Sequence, residues 1–225
     1  MNNSIKLYVL KIPQDIKQDL FDTLLKCVDA TKRERILKYR NKKDATATLM
    51  GDLMVRYLAG NIISVGKEDF AYGYNNNKKP YLIGCDAFKF NISHSGQYVA
   101  VAAGPFEVGC DIQKYQNNIR GVEQIVFSDS EQKLIKTDQD LFRIWTLKES
   151  FLKAIGEGFT KDVKNYTVVD KKGAVRIIYK NREYNFCEYN EFENYAVAVC
   201  ANGNIDMKMN MIEFEEIIGD KVMVC

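Results

Sequence analysis

Leu141-Phe-Arg-Ile-Trp-Thr-Leu-Lys-Glu-Ser-Phe-Leu-Lys-Ala-Ile155 is the stretch from which the rest of the chain is best read. At about 100° per residue, Leu141, Phe142, Ile144, Trp145, Leu147, Phe151, Leu152 and Ile155 fall on one broad arc, with Arg143, Thr146 and Ser150 opposite. This predicts a long amphipathic helix packed on a core, capped by Asp138 or Asp140 and closed by Gly156 as its C′ residue. Lys148 falls inside the apolar arc, where an amine is costly unless an anion meets it. Glu149 and Lys153 border the arc four residues apart, and taken alone they read as an ordinary helical ion pair worth about 0.3 kcal/mol. Two lysines and a carboxylate along a buried face point further, to a site for a phosphate and a cation.

On either side of this helix the pattern is mixed. Residues 5–11 have strand character, and a helical pattern follows through Ile16, Leu20, Leu24 and Val28. Thr31-Lys-Arg-Glu34 has the form of a capping box opening a basic helix, and Asp44 is placed to cap the next helix, which runs to Gly60. Strands are expected at 88–92, 98–103 and 108–112, with Ser93-His-Ser-Gly96 as the turn between the first two. Short helices at 119–126 and 128–136 lead into the long helix. The remainder alternates as strands at 164–169, 174–180, 183–188 and 195–201, while 205–225 favours neither state. Each half therefore reads as helices plus antiparallel strands, an α+β pattern with no convincing internal repeat.

Composition narrows the class. With 46% hydrophobic and 28% charged residues in 225, a disordered or fibrous chain is excluded. Lys+Arg 32 against Asp+Glu 30 gives a net charge of +2, so chain-wide attraction to nucleic acid or an acidic membrane is not expected. The six cysteines lie at least 13 residues apart, which leaves no zinc spacing and favours reduced core thiols. The apolar run near the N-terminus is broken by Lys6 and Lys11, and no stretch approaches the roughly 20 apolar residues that span a bilayer. A reduced, cytoplasmic protein is the expectation.

Three further segments carry candidate chemistry. In Val108-Gly-Cys-Asp-Ile-Gln113, Asp111 interrupts a strand after a glycine, as a strand-terminating residue or as a carboxylate projecting from a sheet end. Asn91-Ile-Ser-His-Ser-Gly96 holds the single histidine, His94, in a Ser-rich segment whose hydroxyl, imidazole and N–H donors suit an anion; lone histidines are more commonly structural. Seven Lys or Arg among residues 32–43 make either a solvated face or a phosphate or nucleic-acid contact.

Taken in order, Asn91–Gly96, Gly109-Cys-Asp-Ile112 and Trp145-Thr-Leu-Lys-Glu-Ser-Phe-Leu-Lys153 resemble the three signatures of the 4′-phosphopantetheinyl transferases, specifically the larger monomeric type that activates surfactin synthetase. Lys32-Arg-Glu-Arg35, Leu49-Met-Gly-Asp52 and Lys79-Pro80 also fit, so the likeness covers most of residues 30–170. The resemblance implies two similar lobes related by a pseudo-twofold axis, 1–106 and 107–225, each with helices on a small antiparallel sheet, acting as a monomer. It also implies transfer of the phosphopantetheine arm of coenzyme A to a serine of an apo acyl or peptidyl carrier protein, releasing 3′,5′-ADP. Neither nucleic acid nor membrane is an implied partner.

A divalent ion belongs to that chemistry, Mg²⁺ or Mn²⁺ in its place, because hard oxygen ligands pair it with anionic phosphates. Matched by position, Asp111, Glu149 and Gln113 face the metal, with Asp111, Glu149 and Lys153 catalytic. Glu149 matches both a ligand and a base for the serine proton. Lys32, Arg35, Ser93, His94, Lys148 and Lys153 are placed at the coenzyme's phosphates, and Lys79-Pro80 beside its adenine. Gln113 departs from the family's usual glutamate, which implies weaker metal binding, and Ala47 stands where relatives often carry an arginine for the 3′-phosphate. Phe159 and Val163 are expected as carrier contacts. Two other readings remain: a coenzyme- or carrier-binding protein without turnover, and a nucleic-acid-binding module built on residues 32–43.

Overall fold

The computed structural model describes residues 3–66, 70–115, 123–158, 163–169, 173 and 175–219. Its first sheet contains β1 (Ile5–Lys11), β4 (Lys89–Ser95), β5 (Tyr98–Gly104) and β10 (Ile205–Ile212), in the order β10-β1-β5-β4. Its second contains β6 (Val108–Lys114), β7 (Arg176–Tyr179), β8 (Arg182–Glu188) and β9 (Tyr195–Ala201), in the order β6-β9-β8-β7. β2 (Tyr72–Tyr74) and β3 (Pro80–Leu82) form a separate ribbon.

Side-chain alternation explains the layering. Val99, Val101 and Ala103 of β5 point into a core shared with α1 (Gln18–Leu25), α2 (Ala30–Leu37) and α3 (Lys42–Ile63). Ala100 and Ala102 point the other way, into a second core closed by Cys110, Ile112, Val197 and Val199 of the second sheet. The opposite face of that sheet is covered by α6 (Asp138–Ile155) through Leu147, Phe151, Ala198 and Cys200. The order is therefore helices, sheet, sheet, helix. β5 is buried on both faces, which is why Tyr98-Val-Ala-Val-Ala-Ala103 is almost continuously apolar.

The mixed α+β architecture agrees with the sequence reading, with several local corrections. The pairing of β1 with β10 is parallel, so the first sheet is not wholly antiparallel. The cap of α2 is Asp29, which accepts from the Lys32 N–H, and that of α3 is Asn41. α6 begins at a Thr137–Asp140 capping box and ends, as expected, with Gly156 in the left-handed region at φ 68°. Ser93, His94 and Ser95 belong to β4, leaving Gly96 at φ 58° to make the turn. Residues 163–165 form a short 3₁₀ turn where a strand was expected, and the ambiguous C-terminal stretch holds β10 and α7 (Phe214–Ile218). α5 (Asp129–Gln132) is shorter than anticipated, and α4 is described over Glu123–Val126, the start of its expected range lying outside the described residues. Among the described residues, Cys85, Cys110, Cys187 and Cys200 are free thiols.

Candidate functional site

Gly109 sets the geometry. A Cβ there would lie 2.0 Å from the Ser150 carbonyl oxygen and 2.4 Å from the Ala154 nitrogen, so only glycine lets α6 lie this close to β6. That approach buries Thr146 and Ser150, which the helical wheel placed opposite the core. It also brings Lys153 onto Asp111, two residues beyond Gly109. The Lys153 ammonium donates to Asp111 Oδ1 at 2.7 Å, the Cys110 carbonyl at 3.1 Å and Ser93 Oγ at 3.2 Å. Burial alone would lower the Lys153 pKa, but the adjacent Asp111 carboxylate outweighs it and holds the ammonium charged. Ser93 Oγ donates to the same Asp111 oxygen at 2.8 Å. Asp111 Oδ2 is buried with no hydrogen-bond partner.

Glu149 lies one helical turn before Lys153, only partly exposed. Burial pushes its carboxyl up to about 7; Lys153 opposes the rise and Asp111 reinforces it. The two carboxylates, 38 residues apart in sequence, therefore share one electrostatic environment. Among the described residues, no group of three His, Cys, Asp or Glu side chains could hold a metal unaided. A pair of carboxylates still suits Mg²⁺, which keeps waters and substrate phosphates in its coordination shell. The unpartnered Asp111 oxygen beside a second desolvated carboxyl is the arrangement a divalent ion would satisfy. Gln113 sits on the same face of β6 as Asp111, two residues along and half-buried.

The other expected site residues separate into two groups. His94 is open to solvent at the end of β4, yet partial desolvation lowers its pKa; Asp44 opposes that shift, and Lys153 adds to it. Arg35 is exposed on α2. Lys32 is half-buried, 3.6 Å from Asp52 and 5.4 Å from the centre of the Tyr72 ring. Pro80 and Lys79 line a cavity of about 140 Å³ with Asn75, Tyr81, Lys89, Phe90 and Glu107.

Lys79 itself is largely committed within the protein. Its ammonium donates to the Ala154 carbonyl at 2.9 Å and the Val108 carbonyl at 3.0 Å, satisfying an orphan acceptor at the C-terminus of α6. Burial lowers its pKa against the opposing pull of Glu107. Lys148 is a correction. Its ammonium is buried against Glu131 at 2.9 Å and donates to the Val163 and Tyr166 carbonyls, so it is not at a phosphate site. Val163 is buried in the α6 core and is no docking contact, while Phe159 lies outside the described residues.

The sequence reading gave no role to two buried acids. Glu131 supplies the anion that Lys148 required, and Asp52 is fully buried, accepting from Arg56 Nε at 2.7 Å on α3. The spacing Asp52–Arg56 is a helical i,i+4 signal for that pair, whereas nothing local marks Glu131 as the partner of Lys148. Part of the basic helix is likewise structural, since Arg33 donates to the Leu25, Lys26 and Val28 carbonyls at the end of α1.

Comparison with known proteins identifies the family. A family model described as "4'-phosphopantetheinyl transferase, N-terminal" matches residues 15–106, and one described as "4'-phosphopantetheinyl transferase superfamily" matches 107–200. The 4'-phosphopantetheinyl transferase gsp of Aneurinibacillus migulanus is 30% identical over 207 residues, covering 88% of this chain and 86% of that protein. The 4'-phosphopantetheinyl transferase Sfp of Bacillus subtilis (strain 168) is 27% identical over 225 residues, covering 95% of this chain and 100% of the relative. A mouse L-aminoadipate-semialdehyde dehydrogenase-phosphopantetheinyl transferase is 34% identical over 154 residues, 60% of this chain and 50% of its own. On these matches, the chain belongs to the 4′-phosphopantetheinyl transferase superfamily and, within it, to the larger Sfp-like type.

Proposed function

We propose that this protein transfers the 4′-phosphopantetheine arm of coenzyme A to a serine of an apo acyl or peptidyl carrier protein, releasing 3′,5′-ADP. The reading takes the chain as a monomer of two related lobes divided near residue 106, with β10 crossing back to complete the first sheet. The observation that carries it is the buried, unpartnered Asp111 oxygen beside the desolvated Glu149 carboxyl.

In the transfer, the serine oxygen forms a bond to the phosphorus that carries pantetheine, the bond from that phosphorus to 3′,5′-ADP breaks, and the serine proton leaves to a base. Asp111 and Glu149 would hold Mg²⁺ or Mn²⁺, which when bound would supply positive charge to offset that of the diphosphate and its leaving group. Glu149, whose carboxyl burial raises to about 7 in the metal-free protein, is placed either as a ligand of that ion or as the acceptor of the serine proton. Lys153 holds Asp111 in place and keeps a positive charge at the same centre. His94 and Arg35, both solvent-exposed, are available to the coenzyme's phosphates, with Lys32 close behind.

Incubation with coenzyme A, Mg²⁺ and an apo carrier protein tests this, with the carrier mass as the readout. The carrier should gain one phosphopantetheine group, and Asp111→Ala or Glu149→Ala should abolish the gain. Absence of any gain across fatty-acid, polyketide and peptide carriers would leave coenzyme binding without turnover as the function.

A further inference from the structure

We infer that Ser93 is a positioning residue for Asp111, not a contact to a coenzyme phosphate, and that it leaves Asp111 with one oxygen for a cation. The inference rests on the metal reading above. It starts from the free edge of β6. β9 covers one edge of that strand, and the N–H groups of Cys110, Ile112 and Lys114 project from the other. They donate to Asn91 Oδ1 at 3.0 Å, Ser93 Oγ at 3.3 Å and Ser95 Oγ at 3.0 Å. Alternate side chains of β4 thus stand in for the carbonyls of a neighbouring strand and join the two sheets.

Only the middle rung continues to a carboxylate. A serine hydroxyl has one proton to donate and two lone pairs to accept with. Ser93 accepts from the Ile112 N–H and the Lys153 ammonium, and gives its proton to Asp111 Oδ1. No donor remains for a phosphate oxygen. Asp111 Oδ1 in turn receives both Ser93 and Lys153, so the carboxylate cannot rotate without breaking two charge-assisted bonds. That fixes Oδ2 as the single unpartnered oxygen. A hydroxyl in the first sheet therefore orients a metal-binding group in the second.

The test measures Mn²⁺ binding by electron paramagnetic resonance in the coenzyme A complex without carrier, and coenzyme A binding separately by calorimetry without metal. Thermal melting monitors folding of each variant. Ser93→Ala should weaken Mn²⁺ binding by about tenfold or more, in the range typical for loss of a group that orients a metal ligand. Coenzyme A affinity should stay unchanged, and Ser93→Thr, which keeps the hydroxyl, should restore Mn²⁺ binding. Ser95→Ala removes a rung that does not reach Asp111, so it should leave Mn²⁺ binding alone. Equal Mn²⁺ losses in Ser93→Ala and Ser95→Ala would overturn the inference in favour of a purely structural ladder. Weakened coenzyme A binding with unchanged Mn²⁺ binding would overturn it in favour of a phosphate contact. If Asp111→Ala binds Mn²⁺ as well as the unaltered protein does, the metal reading itself fails and takes this inference with it.

Discussion

Replacing Lys148 separates the sequence-derived role of this residue from the one its contacts define. The ammonium and the Glu131 carboxylate are both almost fully buried, at 1% and 0% side-chain exposure, and lie 2.9 Å apart. Glu131 also accepts from the Val168 N–H at 2.8 Å and the Ser128 N–H at 2.9 Å, so it cannot swing out to water without undoing a helix cap. In Lys148→Met the carboxylate would remain buried without a counter-charge, and the Val163 and Tyr166 carbonyls would lose their donor. Breaking one side of a buried pair destabilises by about 3–5 kcal/mol, a large share of the ~5–15 kcal/mol typical of a whole domain. For a chain of this size that corresponds to a melting temperature lower by about 6–20 °C. The assay pairs thermal and urea unfolding with the KM for coenzyme A measured well below the melting point. The expected result is a large loss of stability with KM unchanged. The double variant Lys148→Met/Glu131→Gln, which removes the stranded charge and keeps an acceptor for Val168, should recover about half of the loss or more. A stability change below about 1 kcal/mol together with a KM raised about tenfold would refute this account and return Lys148 to the coenzyme.

Other outcomes follow from the same geometry. Gln113→Glu adds a carboxylate on the Asp111 face of β6 and should lower the Mg²⁺ concentration needed for half-maximal transfer; an unchanged metal titration removes Gln113 from the site. Gly109→Ala should destabilise the protein by about 3 kcal/mol or prevent folding, because its Cβ would strike backbone atoms of α6; a variant with normal melting and normal activity contradicts the close approach. Burial raises Glu149 from 4.5 in the unfolded chain to about 7, so the metal-free folded form binds the extra proton between those values. Its stabilising contribution is complete below 4.5 and is lost as pH rises through 7, by at most about 3 kcal/mol. Urea titrations across pH 4–8 should show that decline, and Glu149→Gln should flatten it.

The local layer of the structure was largely legible, and its failures have identifiable causes. The apolar arc of 141–155 predicted α6 and its Gly156 stop because a helix writes its buried face at a 3.6-residue period. The wheel misjudged Thr146 and Ser150 because their burial comes from Gly109, in another element. The alternation in 98–103 gave a strand, but Ser93–Ser95 looked like a turn. Their hydroxyls serve a neighbouring strand edge, a partner no local pattern displays. Caps missed by one to three residues reflect competition among Asp, Asn and Thr for the same orphan amides. The ordered motifs single out Asp111, Glu149 and Lys153, and the fold brings these three side chains into one neighbourhood. Lys148 was misassigned because its anion, Glu131, arrives from a different helix.

The strand order of the first sheet has a consequence during synthesis. Among the described residues β10 is the last strand made and lies beside the first, so one edge of β1 lacks this partner until residue 212 has emerged. An uncovered strand edge is a template for pairing with other chains. Expression of residues 1–204 alone would make that interval permanent and should yield aggregates, whereas supplying 205–219 as a separate peptide offers the missing border.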